Sequence, residues 1–408
     1  MDRIRIIAFI ALTAFFQPSC EEKDSGTGIA QVDYLAANAS SLDLTVTDDF
    51  SDLALLDPYV DDNEVFFSAE IHGMKQNYDL RLKFLKYFVS RGVRSCLVEL
   101  GYGFVQYLGE YLETGDEQLL GDIYAELEGA YAWSHEEFEF WKEVYAFNRT
   151  LPEDGKIVLI GIDIEQVFAV GGWRLHDLLP EGDPPESIAP MIAELRRINE
   201  SGLYDYYTLR TFSSSLQADI EAHAGAYEAY LGQNYFDFRF VARNLVNRYE
   251  CDAISDEGEW ASERDRRIYE NFKDIYQNRP QEKYFGQWGR AHVYRRAYWD
   301  VVWVASLMDG GGLPVAGKVL SIATFYDNST AMTTYPYDTA FFSDDSSISM
   351  PLDMATDSPV TLFRLVGDDS PFETGQYLLD DSHSGGVTTD YFQFCVFMQF
   401  ADPTTPLY

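Results

Sequence analysis

The sequence predicts an α/β fold, with a central, mostly parallel sheet flanked by helices and a large helical insertion capping the site at the strand ends. Three observations lead to this prediction. Short apolar runs that read as buried strands recur between helical stretches. The first two runs are joined by one helix, as in a βαβ unit. The 408 residues are 46% hydrophobic and 15% aromatic, so the chain can bury a sizeable core.

The first βαβ unit begins with an apolar run at 65–69 that ends at Glu70. A helix follows, because its apolar residues are spaced i, i+4, i+7 and i+8 and so share one face: Leu80, Phe84, Tyr87 and Phe88. Gly92 ends this helix, since glycine readily takes the left-handed conformation. The next strand, 95–98, leads to Glu99. The two strands are therefore expected to be parallel.

The remaining elements continue this pattern within one predicted domain over 46–408. Helical insertions are predicted at about 103–150 and 186–282, where charged and aromatic residues are dense. Later apolar runs predict further strands at 156–162, 283–288, 318–325, 360–366 and 392–400. Polar loops separate the last of these strands.

The N-terminus is expected to be a targeting segment. Arg3 and Arg5 precede an apolar run that is too short to span a bilayer, and the pattern resembles a bacterial lipoprotein signal over 1–19. Cys20 would carry the lipid and 20–45 would be a tether. The protein would then be anchored in the cell envelope, periplasmic or surface-exposed. Ordinary secretory cleavage nearby is the alternative.

Composition limits the partners. The formal net charge of −37 repels nucleic acid backbones, so nucleic acid is not expected as a partner. The expected partners are a small-molecule substrate and the membrane that holds the lipid anchor. Beyond Cys20, the chain has three scattered cysteines, Cys96, Cys251 and Cys395, without zinc-ligand spacing or a disulfide framework. No later stretch is apolar enough to cross a membrane.

Four polar residues follow apolar runs and carry most of the functional information: Glu70, His72, Glu99 and His292. Parallel strands deliver such residues to one sheet edge. Two carboxylates and two imidazoles at that edge would form either an acid–base hydrolytic site or a site for Zn²⁺ or Mn²⁺.

Each candidate also has a structural interpretation. Glu70 and His72 alternate along an extended segment, so the carboxylate could orient the imidazole as a base, or both could cap the next helix. Glu99 could serve the site or form only a salt bridge with Arg81.

Two further candidates are less specific. His292 suits proton transfer or oxyanion stabilisation, but a hydrogen-bonded structural histidine is the alternative. Asp163, which ends the strand at 156–162, could bind substrate or cap a helix. The chain has no Gly-x-Ser-x-Gly elbow, P-loop, dinucleotide fingerprint or His-Glu-x-x-His motif.

Together these motifs resemble the erythromycin esterase family, within a broader group that includes haem-binding uptake lipoproteins and Tiki-type metalloproteases. The resemblance spans most of 64–408 and rests on the order and spacing of six segments. They are Ala69-Glu70-Ile71-His72-Gly73, Asp79-Leu80-Arg81 in the helix that follows, Val98-Glu99-Leu100-Gly101, Gly161-Ile162-Asp163-Ile164, Gly289-Arg290-Ala291-His292-Val293, and a closing segment over 392–407 with Ala401-Asp402-Pro403 and Pro406-Leu407. It implies a metal-independent esterase without a cofactor. His72 would activate water with support from Glu70 and Glu99, while Arg81 and His292 match further active-site positions.

The chain departs from the family pattern at two places. Ala69 stands where the family has glycine, and only Ile71 separates Glu70 from His72 where the family has two residues. The shorter spacing resembles the haem-binding and Tiki branches.

Three functions follow as hypotheses. The first is an extracytoplasmic hydrolase of an ester or similar bond that uses water activated by His72 and Glu70. The second is a metal-dependent hydrolase in which Glu70, His72, Glu99 and His292 hold Zn²⁺ or Mn²⁺. The third is a non-enzymatic lipoprotein that binds haem or a glycan.

Overall fold

A computed structural model describes residues 27–278, 282–344, 352–380 and 382–408. The predicted signal peptide and Cys20 lie outside these residues. The described strands, in chain order, are β1 (Ala39–Ser41), β2 (Val65–Glu70), β3 (Ser95–Gly101), β4 (Val158–Asp163), β5 (Tyr284–Gly289), β6 (Val319–Asp327), β7 (Ser329–Met332), β8 (Thr339–Phe342), β9 (Val360–Arg364) and β10 (Phe394–Gln399).

The helices alternate with the first strands and then form a long uninterrupted series between β4 and β5. They are α1 (Thr27–Ala37), α2 (Asp57–Val60), α3 (Gln76–Ser90), α4 (Tyr102–Thr114), α5 (Glu117–Ala125), α6 (His135–Thr150), α7 (Phe168–Asp177), α8 (Ala189–Ser201), α9 (Tyr206–Ala222), α10 (Ala224–Leu231), α11 (Tyr235–Cys251), α12 (Glu257–Asn278), α13 (Val304–Gly310) and α14 (Thr388–Tyr391). No helix of the described ranges has the length and apolarity needed to span a membrane.

Eight strands form one sheet in the order β1-β9-β10-β6-β2-β5-β3-β4. The pairs β2–β5, β2–β6, β3–β5 and β6–β10 are parallel, whereas β9 is antiparallel to both β1 and β10. This confirms the predicted α/β fold with a mostly parallel sheet. β2 and β3 have the same direction, as the βαβ pattern requires, but β5 lies between them.

The predicted apolar face of α3 is confirmed. Leu80, Phe84, Tyr87 and Phe88 are at most 1% exposed. The ring of Phe88 stacks on Phe285 of β5 at 4.9 Å and lies 4.6 Å from the ring of Phe66 in β2. The helix therefore covers the sheet beside β2, and its first turns run past the C-terminal end of that strand.

Part of the predicted tether is wrong. Within 20–45, α1 and β1 are regular structure, and β1 pairs with β9 at the sheet edge. The reason is packing: Leu35 is completely buried, and the hydroxyl of Tyr34 donates to the carbonyl of Val366 at 3.1 Å. Strands β7 and β8 were also not predicted, because each has only four residues.

The chain forms two compact units. One comprises Leu97–Glu128 and Leu159–Ile275, and is largely helical. The other comprises the described residues up to Cys96, together with Gly129–Val158 and Tyr276–Tyr408, and contains most of the sheet. We call them the helical unit and the sheet unit.

Within the sheet unit, the turn after β2 is fixed by its neighbours. Gly73 has φ of +84°, and a Cβ at this position would lie 2.2 Å from the backbone oxygen of Met332. The Gly73 carbonyl accepts hydrogen bonds from the backbone N–H groups of Met332 (2.8 Å) and Thr404 (2.9 Å). A side chain at position 73 would therefore displace the segment after β2.

The substitution Gly73→Ala should destabilise the protein more than Gly92→Ala does. Gly92 has nearly the same φ, +85°, but open space around its Cβ position. Both substitutions carry the left-handed penalty of about 1–2 kcal/mol. Only Gly73→Ala adds a steric cost, of about 1–3 kcal/mol. Urea unfolding of both variants measures the difference, and equal losses would show that the contact with Met332 is unimportant.

Candidate functional site

Glu70 and His72 form a hydrogen-bonded pair at the C-terminal end of β2. Glu70 Oε1 lies 2.8 Å from His72 Nδ1, and the side chains are 15% and 32% exposed. An ionised carboxylate only accepts hydrogen bonds, so with Glu70 ionised the proton of this bond lies on Nδ1 and Nε2 is the ring nitrogen without a proton. The imidazole ring lies 5.5 Å from the ring of Tyr131, with 30° between their planes. The pair has the form of an oriented general base.

The other oxygen of Glu70 is held by the neighbouring strand. Gln287 of β5 donates from Nε2 to Glu70 Oε2 and to the carbonyl of Asn77, both at 3.1 Å. Gln287 is opposite Ser68 in the register of β2 and β5, two residues before Glu70. Because both carboxylate oxygens have partners, the orientation of Glu70 is fixed.

The residue between Glu70 and His72 is also tied down at its backbone. Asn77 donates from Nδ2 to the carbonyl of Ile71 at 2.7 Å, and the hydroxyl of Tyr326 accepts from the Ile71 N–H at 3.2 Å. Tyr326 in turn donates to Asn77 Oδ1 at 2.6 Å. Burial raises the pKa of Tyr326, so its hydroxyl stays protonated and remains a donor.

A second carboxyl, Glu137, lies on the first turn of α6. Its Oε2 accepts from the hydroxyl of Tyr78 at 3.3 Å, and its Oε1 lies 3.9 Å from Arg81 Nη1. Burial raises the pKa of Glu137 to about 7; the charge of Glu70 adds to this, while Arg81, Tyr78 and His72 oppose it. The carboxyl of Glu137 can therefore be protonated or ionised near neutral pH. Its pKa depends on the charges of Glu70 and His72.

Arg81 is buried against aromatic rings. Its guanidinium carbon lies 4.5 Å from the ring centroid of Phe140 and 5.1 Å from that of Trp141. The residue is 7% exposed. The structure thus gives Arg81 a carboxylate partner in Glu137 rather than leaving it open to solvent.

His292 lies in the 3-10 turn Arg290–Val293 that follows β5 and packs against β2. Its ring is edge-on to Trp288 at 5.9 Å and to Trp303 at 5.4 Å, and the residue is 4% exposed. Since Glu70 pairs with Gly289 in the β2–β5 register, Glu70 and this turn share one edge of the sheet. His292 is therefore beside the end of the strand that carries Glu70, with two tryptophan rings against its imidazole.

The helical unit contains a separate buried ion cluster. Arg264 of α12, 1% exposed, donates to Glu99 Oε1 at 3.0 Å and to Asp163 Oδ1 at 3.0 Å. Asp163 is completely buried and also accepts from the Ile164 N–H at 2.8 Å and from the side chain of Gln166. A fully buried carboxylate that accepts several hydrogen bonds from the protein is typical of a structural ion cluster. The arrangement therefore does not favour the prediction that Asp163 binds substrate.

The structure also bears on the alternatives raised from sequence. Glu70 and His72 bind each other, and α3 has no side-chain cap at its N-cap residue, Lys75. Glu99 pairs with Arg264, which the sequence reasoning missed. Asp163 is not a helix cap, because α7 begins later, after Val167.

Metal ligands are not gathered in the parts of the chain that the structure describes. Among those residues, no group of three or more His, Cys, Asp or Glu side chains is arranged to hold a metal ion. Nothing in this arrangement favours the Zn²⁺ or Mn²⁺ alternative, which stays a prediction.

The Arg264 cluster should be needed for stability. Arg264→Met leaves Glu99 and Asp163 with an uncompensated buried charge, so we expect a loss of about 3–5 kcal/mol in the free energy of unfolding. Arg266→Met is the matched control: Arg266 is 47% exposed and its ion pairs lie on the surface, so the expected loss is under about 1 kcal/mol. Chemical denaturation compares the two variants. Equal small losses would contradict a structural role for Arg264.

Comparison with solved structures places this fold among known proteins. No protein-family model matches the chain, and no curated protein matches its sequence. A Bacillus cereus protein superposes with a TM-score of 0.68 at 16% identity, over 93% of this chain and 99% of its own. A succinoglycan biosynthesis protein gives 0.70 at 12%, over 95% and 100%. A mutant of the erythromycin esterase EreC in its open conformation gives 0.63 at 14%, over 90% and 99%. The chain therefore shares the fold of these proteins over nearly its whole length.

Proposed function

We propose that the protein is a hydrolase of an ester or similar bond, in which Glu70 and His72 activate water. The observation that carries the proposal is the 2.8 Å hydrogen bond between Glu70 Oε1 and His72 Nδ1. The imidazole is about one-third exposed, so it can meet a solute, while its orienting carboxylate is mostly enclosed. The fold shared with an erythromycin esterase is consistent with this chemistry.

The proposed reaction starts when His72 Nε2 accepts a proton from water. The water oxygen attacks the carbonyl carbon of the substrate, and Glu70 stabilises the imidazolium that forms. Collapse of the tetrahedral intermediate breaks the bond to the leaving alkoxide, which takes a proton back from His72. Ester and water become acid and alcohol, and His72 returns to its neutral form.

Negative charge that develops on the carbonyl oxygen needs stabilisation by nearby donors. We assign this role to His292, which lies beside the end of β2. Arg81, which matches a further active-site position of the family, lies 3.9 Å from Glu137 Oε1, so we assign it an indirect, electrostatic contribution. Glu99 is bound to Arg264, so its support for the reaction is proposed to be indirect.

The location of the protein is also a proposal. The lipoprotein-like pattern before Cys20 would anchor it in the cell envelope, where it would meet a small-molecule substrate outside the cytoplasm.

Substitution of the pair should abolish hydrolysis. In a panel of 4-nitrophenyl esters, lactones and acetylated sugars, His72→Ala should lower kcat/KM by about 10²–10⁴-fold, because the general base is lost. Glu70→Gln should give a smaller loss, since the imidazole remains but its orientation is less fixed. His223→Ala is the control: it lies in the helical unit, and its side chain is 39% exposed.

Two outcomes would contradict the proposal. One is unchanged turnover of every ester by His72→Ala. The other is a wild-type protein that hydrolyses none of the panel; tight binding of haemin or a glycan by that protein would then favour the non-enzymatic alternative.

Metal dependence has its own test. The mechanism places proton transfer on His72 and needs no cation, so activity should survive dialysis against a chelator. Elemental analysis of the same sample should find no stoichiometric Zn²⁺ or Mn²⁺. Activity that is lost on chelation and restored by one of these ions would instead establish the metal-dependent alternative.

A further inference from the structure

We propose that four tyrosines beside His72 bind the saccharide part of the substrate, which would then be an acyl ester of a sugar. They are Tyr131, Tyr335, Tyr337 and Tyr408, and we call them the tyrosine strip. The substrate class rests on the proposed function, because the strip would hold a sugar ester against the Glu70–His72 pair. Binding of a saccharide to the strip can be measured without turnover, in a variant that lacks the base.

The tyrosine strip begins at the candidate base itself. The ring of Tyr131 lies 5.5 Å from the imidazole of His72, with 30° between the two planes. Tyr131 is half-buried, and in the described part of the chain this imidazole is the only ring that it contacts. A substrate held at His72 therefore lies beside Tyr131.

The other three tyrosines gather around Trp133, which is 6% exposed. Tyr337 stacks on the indole at 5.2 Å with 27° between the planes, and Tyr408 meets it edge-on at 5.7 Å. Tyr335 in turn meets Tyr337 edge-on at 5.8 Å. The Gly129 N–H donates to the hydroxyl of Tyr337 at 2.6 Å. A buried tryptophan and a backbone donor thus hold these rings in place.

Backbone contacts tie the segments of the strip to the turn after β2. The Gly73 carbonyl accepts from the N–H groups of Met332 and Thr404. Met332 leads into the loop between β7 and β8, which carries two of the tyrosines, and Thr404 leads into the C-terminal segment, which carries the last. That segment is also joined to the loop before α6 by a β-bridge between Ser134 and Pro406. The strip is therefore built on the same turn as His72.

The surface of the strip suits a ligand that is apolar on its faces and polar at its edges. Tyr335 is 70% exposed and Tyr408 is 79% exposed, so their rings are open to a ligand. Within the described ranges, no residue makes a hydrogen bond with the hydroxyl of either, or with that of Tyr131. A sugar ring matches this surface, because its C–H faces pack on aromatic rings and its hydroxyl groups bond to phenol hydroxyls. A saccharide is also neutral, whereas the net charge of −37 disfavours an anionic ligand.

The first test is calorimetric titration of the full-length His72→Ala protein with acetylated xylo- and gluco-oligosaccharides, which this variant should bind and leave intact. In that background, Tyr335→Ala should weaken binding by about 3–10-fold, the size expected for one lost aromatic contact. Tyr131→Phe removes only a hydroxyl and should weaken binding by about 2–10-fold. Tyr207→Ala is the matched control, because Tyr207 is 75% exposed on α9 of the helical unit, and its Kd should equal that of the parent.

Turnover by the active protein tests the substrate class. The ratio of kcat/KM for the acetylated oligosaccharides to kcat/KM for 4-nitrophenyl acetate should fall by about 3–10-fold in Tyr335→Ala. An equal fall for 4-nitrophenyl benzoate would show that the strip binds aromatic acyl groups, and it would overturn the assignment to a saccharide.

Two further outcomes would overturn the inference even if the wild-type protein hydrolyses simple esters. One is equal binding by the Tyr335→Ala and Tyr207→Ala variants, and the other is no binding of either oligosaccharide. Binding that depends on Tyr335, in a protein that hydrolyses no ester, would support the saccharide strip while contradicting the proposed function. The two failures are therefore distinguishable.

Discussion

Two hydrogen bonds to the carbonyl oxygen of Gly73, from Met332 at 2.8 Å and Thr404 at 2.9 Å, hold the turn on which the candidate site depends. The adjoining residue Ile71 is held at its N–H by Tyr326 and at its carbonyl by Asn77. With the backbone fixed on both sides of His72, a two-residue spacing is enough to bring the imidazole onto the Glu70 carboxylate. The short Glu70-Ile71-His72 motif is therefore compatible with a well-oriented base.

The two units use buried charge in different ways. In the helical unit, Arg264 donates direct hydrogen bonds of 3.0 Å to both Glu99 and Asp163, as a structural cluster requires. In the sheet unit, Glu137 is only partly compensated by Arg81 and Tyr78, and its pKa is raised to about 7. Incomplete compensation leaves a group able to change charge at neutral pH, which is the property that acid–base chemistry uses.

The sequence predicts those features that depend on periodicity along the chain. The buried strands at β2 and β5 and the apolar face of α3 follow from local patterns. The alternation of an extended segment suggested the Glu70–His72 contact, although β2 ends at Glu70 and His72 lies in the turn that follows. The partners from distant segments could not be predicted this way, since Gln287, Asn77 and Arg264 reach the clusters only through tertiary packing. One signal was available: Gln287 is a polar residue within an apolar strand, next to the predicted site strand.

Glu137 shows a different limit of sequence reasoning. Ser134-His135-Glu136-Glu137 matches a capping box, so a local pattern explains the glutamate without any function. Only the packing of α6 against α3 shows that the carboxyl faces Tyr78 and Arg81. Part of the predicted tether was wrong for a similar reason, because helix α1 packs on residues more than three hundred positions away: the ring of Tyr34 lies 6.0 Å from that of Phe372.

We propose that Glu70 fixes His72 as a base whose proton is on Nδ1 and whose Nε2 takes the proton from water. The most direct measurement is the tautomer of His72, read from nitrogen-15 NMR of the imidazole above its pKa in wild type and in Glu70→Gln. We expect the Nδ1–H tautomer in wild type, and a mixture of both tautomers in Glu70→Gln. A wild-type His72 that carries its proton on Nε2 would contradict this role of Glu70, because that nitrogen could not then accept a proton from water.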